Sequence, residues 1–249
     1  MAKNRLRADQ LLVERKLSES REKAKRLIMA GLAFIEKKGE LEKIKKPGQL
    51  IKITEKIIIK EQNRFVSRGG FKLLTAIEEF QIDFKDKIVL DVGASTGGFT
   101  DCCLKHGAKK VYAVDVGYGQ LHYKLRKDPR VINIEKTNIR YIDRNLIPEQ
   151  VDIVTIDCSF ISLTKVIPPA IQFLKPQGEL ICLIKPQFEL SKNEIGKGVV
   201  RDKILQQKAI NKVIDFAKKE LKMIFLGVVP SKIKGPKGNQ EYLAYFKNR

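Results

Sequence analysis

Acidic and basic side chains recur at the ends of short apolar runs in this sequence. Asp91 and Asp115 each close one run, Asp157 and Lys185 directly follow two more, and Glu241 directly precedes the last. Carboxylates can hold ribose hydroxyls or attract a cationic ligand, and a neutral lysine amine can accept a proton. These five side chains therefore predict a ligand site with acid–base capacity.

The segment 91-DVGASTGGFTD-101 follows the first of these runs. It is either an ordinary strand-to-helix turn or a nucleotide pocket, because its glycines allow a ligand to approach the backbone closely. It lacks the Gly-Lys-Ser/Thr ending of a P-loop, which argues against a nucleoside triphosphate. NAD remains open because Asp115 would suit ribose hydroxyls. S-adenosyl-L-methionine fits better, since it is cationic and has no pyrophosphate for Asp91 to repel.

After about residue 66, apolar runs alternate with amphipathic segments. These runs and segments are the elements that must position the side chains. This alternation predicts an α/β fold with a Rossmann-like, doubly wound parallel sheet, whose ligands bind at the carboxyl ends of the strands. The last two runs have no helix between them, so we expect an edge hairpin that brings Glu241 to the same end. The predicted strands are 87–93, 110–117, 151–160, 178–188, 223–231 and 241–247.

The first 60 residues have a different character. Two basic helical segments, 7–17 and 18–31, precede short alternating runs typical of strands. The pattern predicts a small α+β domain at residues 1–62, followed by the larger domain at 63–249.

The chain is strongly basic: 49 Lys and Arg stand against 29 Asp and Glu in 249 residues, a formal charge of +20. This excess favours a polyanionic partner, either RNA, DNA or an anionic membrane, over a merely lysine-rich surface. We find no signal peptide and no apolar run long enough to span a bilayer. The four cysteines have no C-x-x-C spacing and there are two histidines, so we expect no metal site and reduced thiols in a cytoplasmic protein.

Two sets of residues in this sequence match known patterns. In the smaller predicted domain the matching residues are Arg7, Leu11, Leu12, Ser20, Arg21, Ala24, Ile28, Gly31, Phe34, Pro47 and Gly48. Through them this domain resembles the ribosomal-protein-S4-like RNA-binding domain. In the larger domain the matching stretches are 66-VSRGGFKL-73, 91-DVGASTGGFTD-101, 114-VDVGYGQL-121, 137-TNIR-140, 154-VTIDCSFIS-162, 184-IKPQFE-189 and 235-GPKGNQEYL-243. Through them the larger domain resembles the FtsJ-type RNA ribose methyltransferases, and the whole chain resembles the TlyA family, also labelled hemolysin A.

The resemblance implies a methyltransferase that uses S-adenosyl-L-methionine to methylate the ribose 2′-hydroxyl of a cytidine in 23S rRNA. Whether 16S rRNA is a second target is left open by the sequence. Its partners would be ribosomal RNA or ribosomal subunits, with no obligatory membrane. The family's catalytic tetrad falls on Lys72, Asp157, Lys185 and Glu241. Cofactor contacts are expected from Asp91, Gly93, Ala94, Ser95, Thr96, Gly97, Gly98, Phe99, Asp115, Asn138 and Asp157, and RNA contacts from Arg7, Arg21, Lys23, Lys25, Arg26 and Arg68.

We expect Lys185 to act as the general base, with Asp157 and Glu241 orienting it and the hydroxyl, and with Lys72 orienting the substrate. Burial beside a second cation favours the neutral lysine that this role needs. Lys185 could instead clamp an RNA phosphate. Two other functions remain open, a non-catalytic RNA-binding protein and a membrane-active cytolysin, although the apolar helix stripe of Ala24, Leu27 and Ile28 is narrow.

Overall fold

The structure is a computed structural model that describes residues 4–37, 39–59, 64–196, 198–235 and 237–249. The chain divides into two units, Met1–Arg64 and Phe65–Arg249. The predicted boundary between residues 62 and 63 lies outside the described residues. Among the residues that are described, we find no helix with the length and apolar character that crossing a membrane requires.

The smaller unit contains the two predicted helices and five strands. Ser20 caps the second helix by accepting a hydrogen bond from the Lys23 backbone amide, and Gly31 ends it with φ +73°. The order β3-β2-β5 forms an antiparallel sheet, and β1 pairs with β4. The elements are β1 (Arg5–Arg7), α1 (Ala8–Glu14), α2 (Arg21–Met29), β2 (Ala33–Lys37), β3 (Glu40–Lys43), β4 (Leu50–Lys52) and β5 (Lys56–Ile59).

The core of the smaller unit lies between its helices and strands. Leu11 and Leu12 of α1 and Ala24 and Ile28 of α2 are buried in one cluster with apolar residues of β2, β4 and β5. Sequence reasoning missed β1 and β3. All four residues of β3 are exposed, so this strand carries no apolar alternation that could reveal it.

The larger unit is built on one seven-stranded sheet with the order β11-β12-β10-β9-β6-β7-β8. Its strands are β6 (Ile88–Val92), β7 (Lys110–Val114), β8 (Val131–Ile134), β9 (Val151–Ile156), β10 (Leu174–Ile184), β11 (Ile224–Pro230) and β12 (Tyr242–Lys247). The pairs from β10 to β8 are parallel, whereas β12 is antiparallel to both β10 and β11. The predicted hairpin therefore forms, but its second strand is inserted into the sheet and only β11 lies at the edge.

Helices cover both faces of this sheet, which confirms the doubly wound α/β prediction. One apolar cluster joins α6 and α9 to the sheet, and the other joins α3 and α4 to its opposite face. The central strands are buried on both faces, which explains why their sequences are unbroken apolar runs. The helices are α3 (Gly69–Phe80), α4 (Gly98–Lys105), α5 (Tyr123–Arg126), α6 (Leu163–Ile171), α7 (Pro186–Glu189), α8 (Lys192–Ile195) and α9 (Lys203–Lys219).

Candidate active site

Four ionisable side chains meet at the carboxyl edge of the parallel strands. Asp157 follows β9 and Lys185 follows β10, while Glu241 precedes β12, whose first residue pairs with the last residue of β10. The ammonium nitrogen of Lys185 lies 2.6 Å from Asp157 Oδ1, and that of Lys72 lies 2.6 Å from Glu241 Oε2. The structure thus brings the four predicted catalytic residues together as two adjacent ion pairs.

Both ion pairs are largely removed from water. The exposed fractions of the side chains are 10% for Lys72, 1% for Glu241, 8% for Lys185 and 18% for Asp157. Neither carboxylate oxygen makes a hydrogen bond of standard geometry among the described residues, so charge rather than aligned hydrogen bonding holds the pairs. Burying charges costs more free energy than an ordinary structural role would justify, which favours a functional role for this cluster.

Lys72 reaches the site because α3 and α4 begin in close contact. A Cβ atom on Gly98 would lie 2.8 Å from the Gly70 backbone nitrogen and 3.0 Å from the Gly69 Cα atom. Only glycine permits this approach. Gly98 is therefore the residue that lets the start of α4 lie directly against the start of α3.

The glycine-rich loop after β6 forms one wall of a cavity of about 400 Å³. Gly93 has φ +83°, and a Cβ atom there would lie 2.7 Å from the Asp157 backbone oxygen. Gly97 does not line this cavity; it accommodates the side chains of Leu121 and Leu125 instead. The predicted cofactor residues that do line it are Gly93, Ala94, Ser95, Thr96, Gly98, Phe99 and Asp157, together with Lys72 and Lys185 of the ion pairs.

A neighbouring cavity of about 430 Å³ contains the other predicted cofactor residues, Asp115 and Asn138. Asp115 accepts hydrogen bonds from the backbone amides of Ser95 (2.8 Å) and Gly117 (2.7 Å). These contacts hold the Asp115 carboxylate beside the loop and leave it able to accept further hydrogen bonds from a ligand. The two cavities share Gly93, Ser95, Asp157 and Ser159, and together they offer a backbone cradle and carboxylates. This donor set fits S-adenosyl-L-methionine.

Asp91 does not lie in either cavity. Its side chain is buried and accepts hydrogen bonds from Thr100 Oγ1 (2.6 Å) and Thr155 Oγ1 (2.9 Å). Burial raises the pKa of Asp91 to about 6, against the opposing effect of these two hydrogen bonds. The structure therefore places Asp91 beneath the loop, where it joins β6 to β9 and α4, rather than against a ligand.

An aromatic pair at the site was not found by sequence reasoning. Phe160 is 90% exposed with φ +64°, and its ring centroid lies 5.1 Å from that of Phe188. Both rings line a third cavity, of about 470 Å³, together with Lys72, Lys185 and Glu241. A left-handed, solvent-exposed phenylalanine is costly and is typical of a functional surface. In sequence, Phe160 resembles a core residue because Ile161 follows it.

The predicted RNA-binding residues divide between the units. In the smaller unit, Arg7 and Arg21 both bind the buried carboxylate of Asp9, at 3.0 Å each. Lys23 pairs with Glu19, Lys25 pairs with Glu22, and Arg26 is exposed. In the larger unit, Arg68 is exposed and donates a hydrogen bond to the Lys234 carbonyl at 3.0 Å. Asp9 was missed, since an acid near a helix start normally reads as a solvated residue.

A family model described as FtsJ-like methyltransferase matches residues 65–248. The match covers the seven-stranded sheet and all three cavities. The larger unit is therefore an FtsJ-like methyltransferase domain.

Relatives extend the similarity to nearly the whole chain. Hemolysin A of Brachyspira hyodysenteriae is 44% identical over 97% of this chain and 99% of its own length. The 16S/23S rRNA (cytidine-2′-O)-methyltransferase TlyA of Mycobacterium tuberculosis is 40% identical over 98% of this chain and 91% of its own length. A solved structure from Streptococcus thermophilus that carries the hemolysin name is 41% identical, with a TM-score of 0.73, and covers 99% of this chain and 90% of that one. The chain belongs to the TlyA family.

Proposed function

We propose that this protein methylates the ribose 2′-hydroxyl of a cytidine in ribosomal RNA, with S-adenosyl-L-methionine as the methyl donor. The observation that carries the proposal is the pair of buried lysine–carboxylate contacts whose residues Lys72, Asp157 and Lys185 line the glycine-loop cavity. The name of the Mycobacterium tuberculosis relative supports the cytidine and the rRNA, with both 23S and 16S rRNA as targets. Because its proposed substrate is ribosomal RNA, we also propose that the protein acts in the cytoplasm.

The 2′-hydroxyl is a weak acid and becomes a good nucleophile only as its proton leaves. In our proposal the neutral amine of Lys185 accepts this proton, and Asp157 orients the amine and stabilises the ammonium that forms. Lys72 and Glu241 hold the hydroxyl in line with the methyl group. S-adenosyl-L-methionine supplies an electrophilic methyl on a sulfonium, so positioning accounts for much of the rate enhancement.

The target nucleotide must leave its helix for its hydroxyl to reach buried side chains. Phe160 and Phe188 present aromatic surface beside Lys185, and aromatic rings stack on unpaired bases. The smaller unit would supply most of the affinity through phosphate contacts from its five predicted RNA-binding side chains, which are Arg7, Arg21, Lys23, Lys25 and Arg26. Its contacts would be insensitive to sequence, so target choice rests with the larger unit.

The deciding experiment is incubation of purified 50S and 30S subunits with the protein and methyl-labelled cofactor, followed by mapping of 2′-O-methylated nucleotides. We expect a modified cytidine in 23S rRNA, and the 30S arm of the experiment decides whether 16S rRNA is a second target. Absence of ribose methylation from both subunits would overturn the proposal.

The hemolysin name of one relative makes membrane lysis the second candidate function. The apolar stripe of α2 is the face that would meet lipid, but Ala24 and Ile28 are 0% and 1% exposed in the core of the smaller unit. We therefore expect no dye release from anionic liposomes at protein concentrations that saturate methylation. Leakage by the folded protein would favour the cytolysin.

A further inference from the structure

We propose that Glu189 is a positioning residue that holds the Lys185–Asp157 pair in its reactive geometry. The proposal rests on the methyl transfer proposed above. Glu189 ends α7, the single turn that begins directly after Lys185. Its side chain is only 1% exposed, which is unusual for a glutamate that is not part of the tetrad.

Glu189 is bonded to the segment that follows β9. Its Oε1 accepts the backbone N–H of Leu163 at 2.8 Å, and its Oε2 accepts the hydroxyl of Ser162 at 2.5 Å. Helix α6 already has its own cap, because the Ser162 side chain accepts the Thr164 N–H. Glu189 satisfies a further amide of the same first turn, that of Leu163, from a different strand end. Its contacts therefore connect the segments that follow β9 and β10.

Two short segments are closed into a ring by these bonds. One segment is 157–163 and the other is 185–189. At one end of the ring, Lys185 contacts Asp157 at 2.6 Å and donates to Ser159 Oγ at 2.9 Å. At the other end, Glu189 accepts hydrogen bonds from Ser162 and Leu163. The aromatic side chains of Phe160 and Phe188 pack against each other between the two ends.

Loss of the Glu189 carboxylate would open this ring at its buried end. The Leu163 N–H would lose its partner, and a buried unsatisfied amide drives the backbone to rearrange. Displacement of reacting groups by about 1 Å can lower a rate by about 100-fold. We therefore expect Glu189→Ala to lower kcat by roughly 10- to 100-fold, with KM for ribosomal subunits and Kd for S-adenosyl-L-methionine changed by less than about threefold.

Glu194 provides a matched control. Glu189 lies 3.5 Å from Lys212 of α9, and Glu194 lies 2.5 Å from Lys208 of the same helix. Glu194→Ala thus removes a similar glutamate–lysine contact, together with the capping bonds from Ser191, but no bond to segment 157–163. We expect wild-type kcat. Glu189→Gln should restore kcat to within about threefold of wild type, because its amide can accept the Leu163 N–H and donate to Ser162. If Glu189→Ala does not fold, Glu189→Asp, which is too short to reach both partners, takes its place.

A second readout does not depend on methylation. The chain contains no tryptophan, so Phe160→Trp places a lone fluorophore in segment 157–163. Adding Glu189→Ala should lower its steady-state anisotropy and increase acrylamide quenching, whereas adding Glu189→Gln or Glu194→Ala should not.

The outcomes separate this proposal from the proposed function. If wild-type protein methylates subunits but Glu189→Ala retains the kcat of Glu194→Ala, the positioning role is wrong. Unchanged anisotropy on loss of Glu189 would overturn it too. If wild-type protein leaves both subunits unmethylated, the proposed function fails, and the anisotropy comparison alone then decides whether Glu189 orders the segment.

Discussion

Lys185 is the residue whose role most needs a chemical test. It contacts a carboxylate and a hydroxyl within a buried cluster, an arrangement that suits either a proton acceptor or a fixed cation. A general base must be neutral when it acts, whereas a phosphate clamp must stay charged.

Arginine separates these two roles because it keeps the positive charge but is not deprotonated in proteins. If Lys185 is the base, Lys185→Arg and Lys185→Ala will both lower kcat by about 100-fold or more, with cofactor affinity little changed. Single-turnover methylation of subunits and calorimetric titration of the cofactor measure the two effects. Lys165→Arg on the exposed face of α6 is the control. Near-normal turnover of Lys185→Arg would make this residue a clamp.

At the scale of elements, the junction of α3 and α4 sets the position of Lys72. We expect Gly98→Ala to destabilise the protein by about 1–3 kcal/mol and to lower kcat, because α3 must move away from the added methyl. Gly69→Ala is the matched control, since its Cβ atom would make only ordinary contacts, the nearest at 3.4 Å to Ser67 Oγ. Urea unfolding and kcat should be measured for both variants. Equal effects of the two substitutions would contradict this explanation.

The Asp91 carboxyl links β6, β9 and α4, and the free energy that its burial costs depends on pH. Its pKa is raised from 3.8 to about 6, so the folded state binds a proton more tightly than the unfolded chain. The free energy of unfolding should therefore fall as pH rises from about 4 to 6, by roughly 3 kcal/mol, and the loss should persist above pH 6.

We expect Asp91→Asn to abolish most of this pH dependence, since an amide does not ionise. The measurement is urea unfolding of wild type and variant at pH 4.5, 5.5 and 7.5. The informative quantity is the difference between the two proteins at each pH, because other groups titrate in both. A difference that does not vary with pH would show that Asp91 does not ionise in this range.

The sequence predicted the strands that are buried on both faces, because their apolar runs are unbroken and end in charged residues. It missed β8, in which only Val131 and Ile134 are buried, and it could not show that β12 lies inside the sheet, since strand order depends on long-range pairing. The strand-end pattern brought Asp157, Lys185 and Glu241 to one edge of the sheet, where they lie in the structure. Lys72, which lies on α3, came only from the family resemblance. The sequence predicted Asp91 in the ligand site, whereas its side chain is bonded to Thr100 and Thr155. A carboxylate that ends a strand has the same sequence pattern in both situations.

For the whole molecule, a formal charge of +20 makes recognition of RNA dependent on salt. If the five basic side chains proposed for the smaller unit each neutralise one phosphate, the logarithm of the association constant for subunits should fall with log[KCl] with a slope of about −4. Binding assays between 50 and 300 mM KCl test this, with Arg26→Ala reducing the slope by about one. Cofactor affinity should stay nearly constant, and a flat slope for subunits would exclude phosphate contacts as the main source of affinity.

The insertion of β12 between β10 and β11 constrains the order in which the protein can assemble. β11 and β12 can pair with each other locally as a hairpin. The backbone edge of β10, which is the open slot for β12, stays unpaired until this hairpin docks on it. The Lys72–Glu241 contact closes a long stretch of chain, and such non-local pairings form late in folding. A nascent or partly folded molecule can thus complete the glycine loop while it still lacks half of its catalytic cluster. Competence for catalysis is therefore coupled to the final step of sheet formation, and a chaperone that shields the open slot would protect the chain from aggregation at that stage.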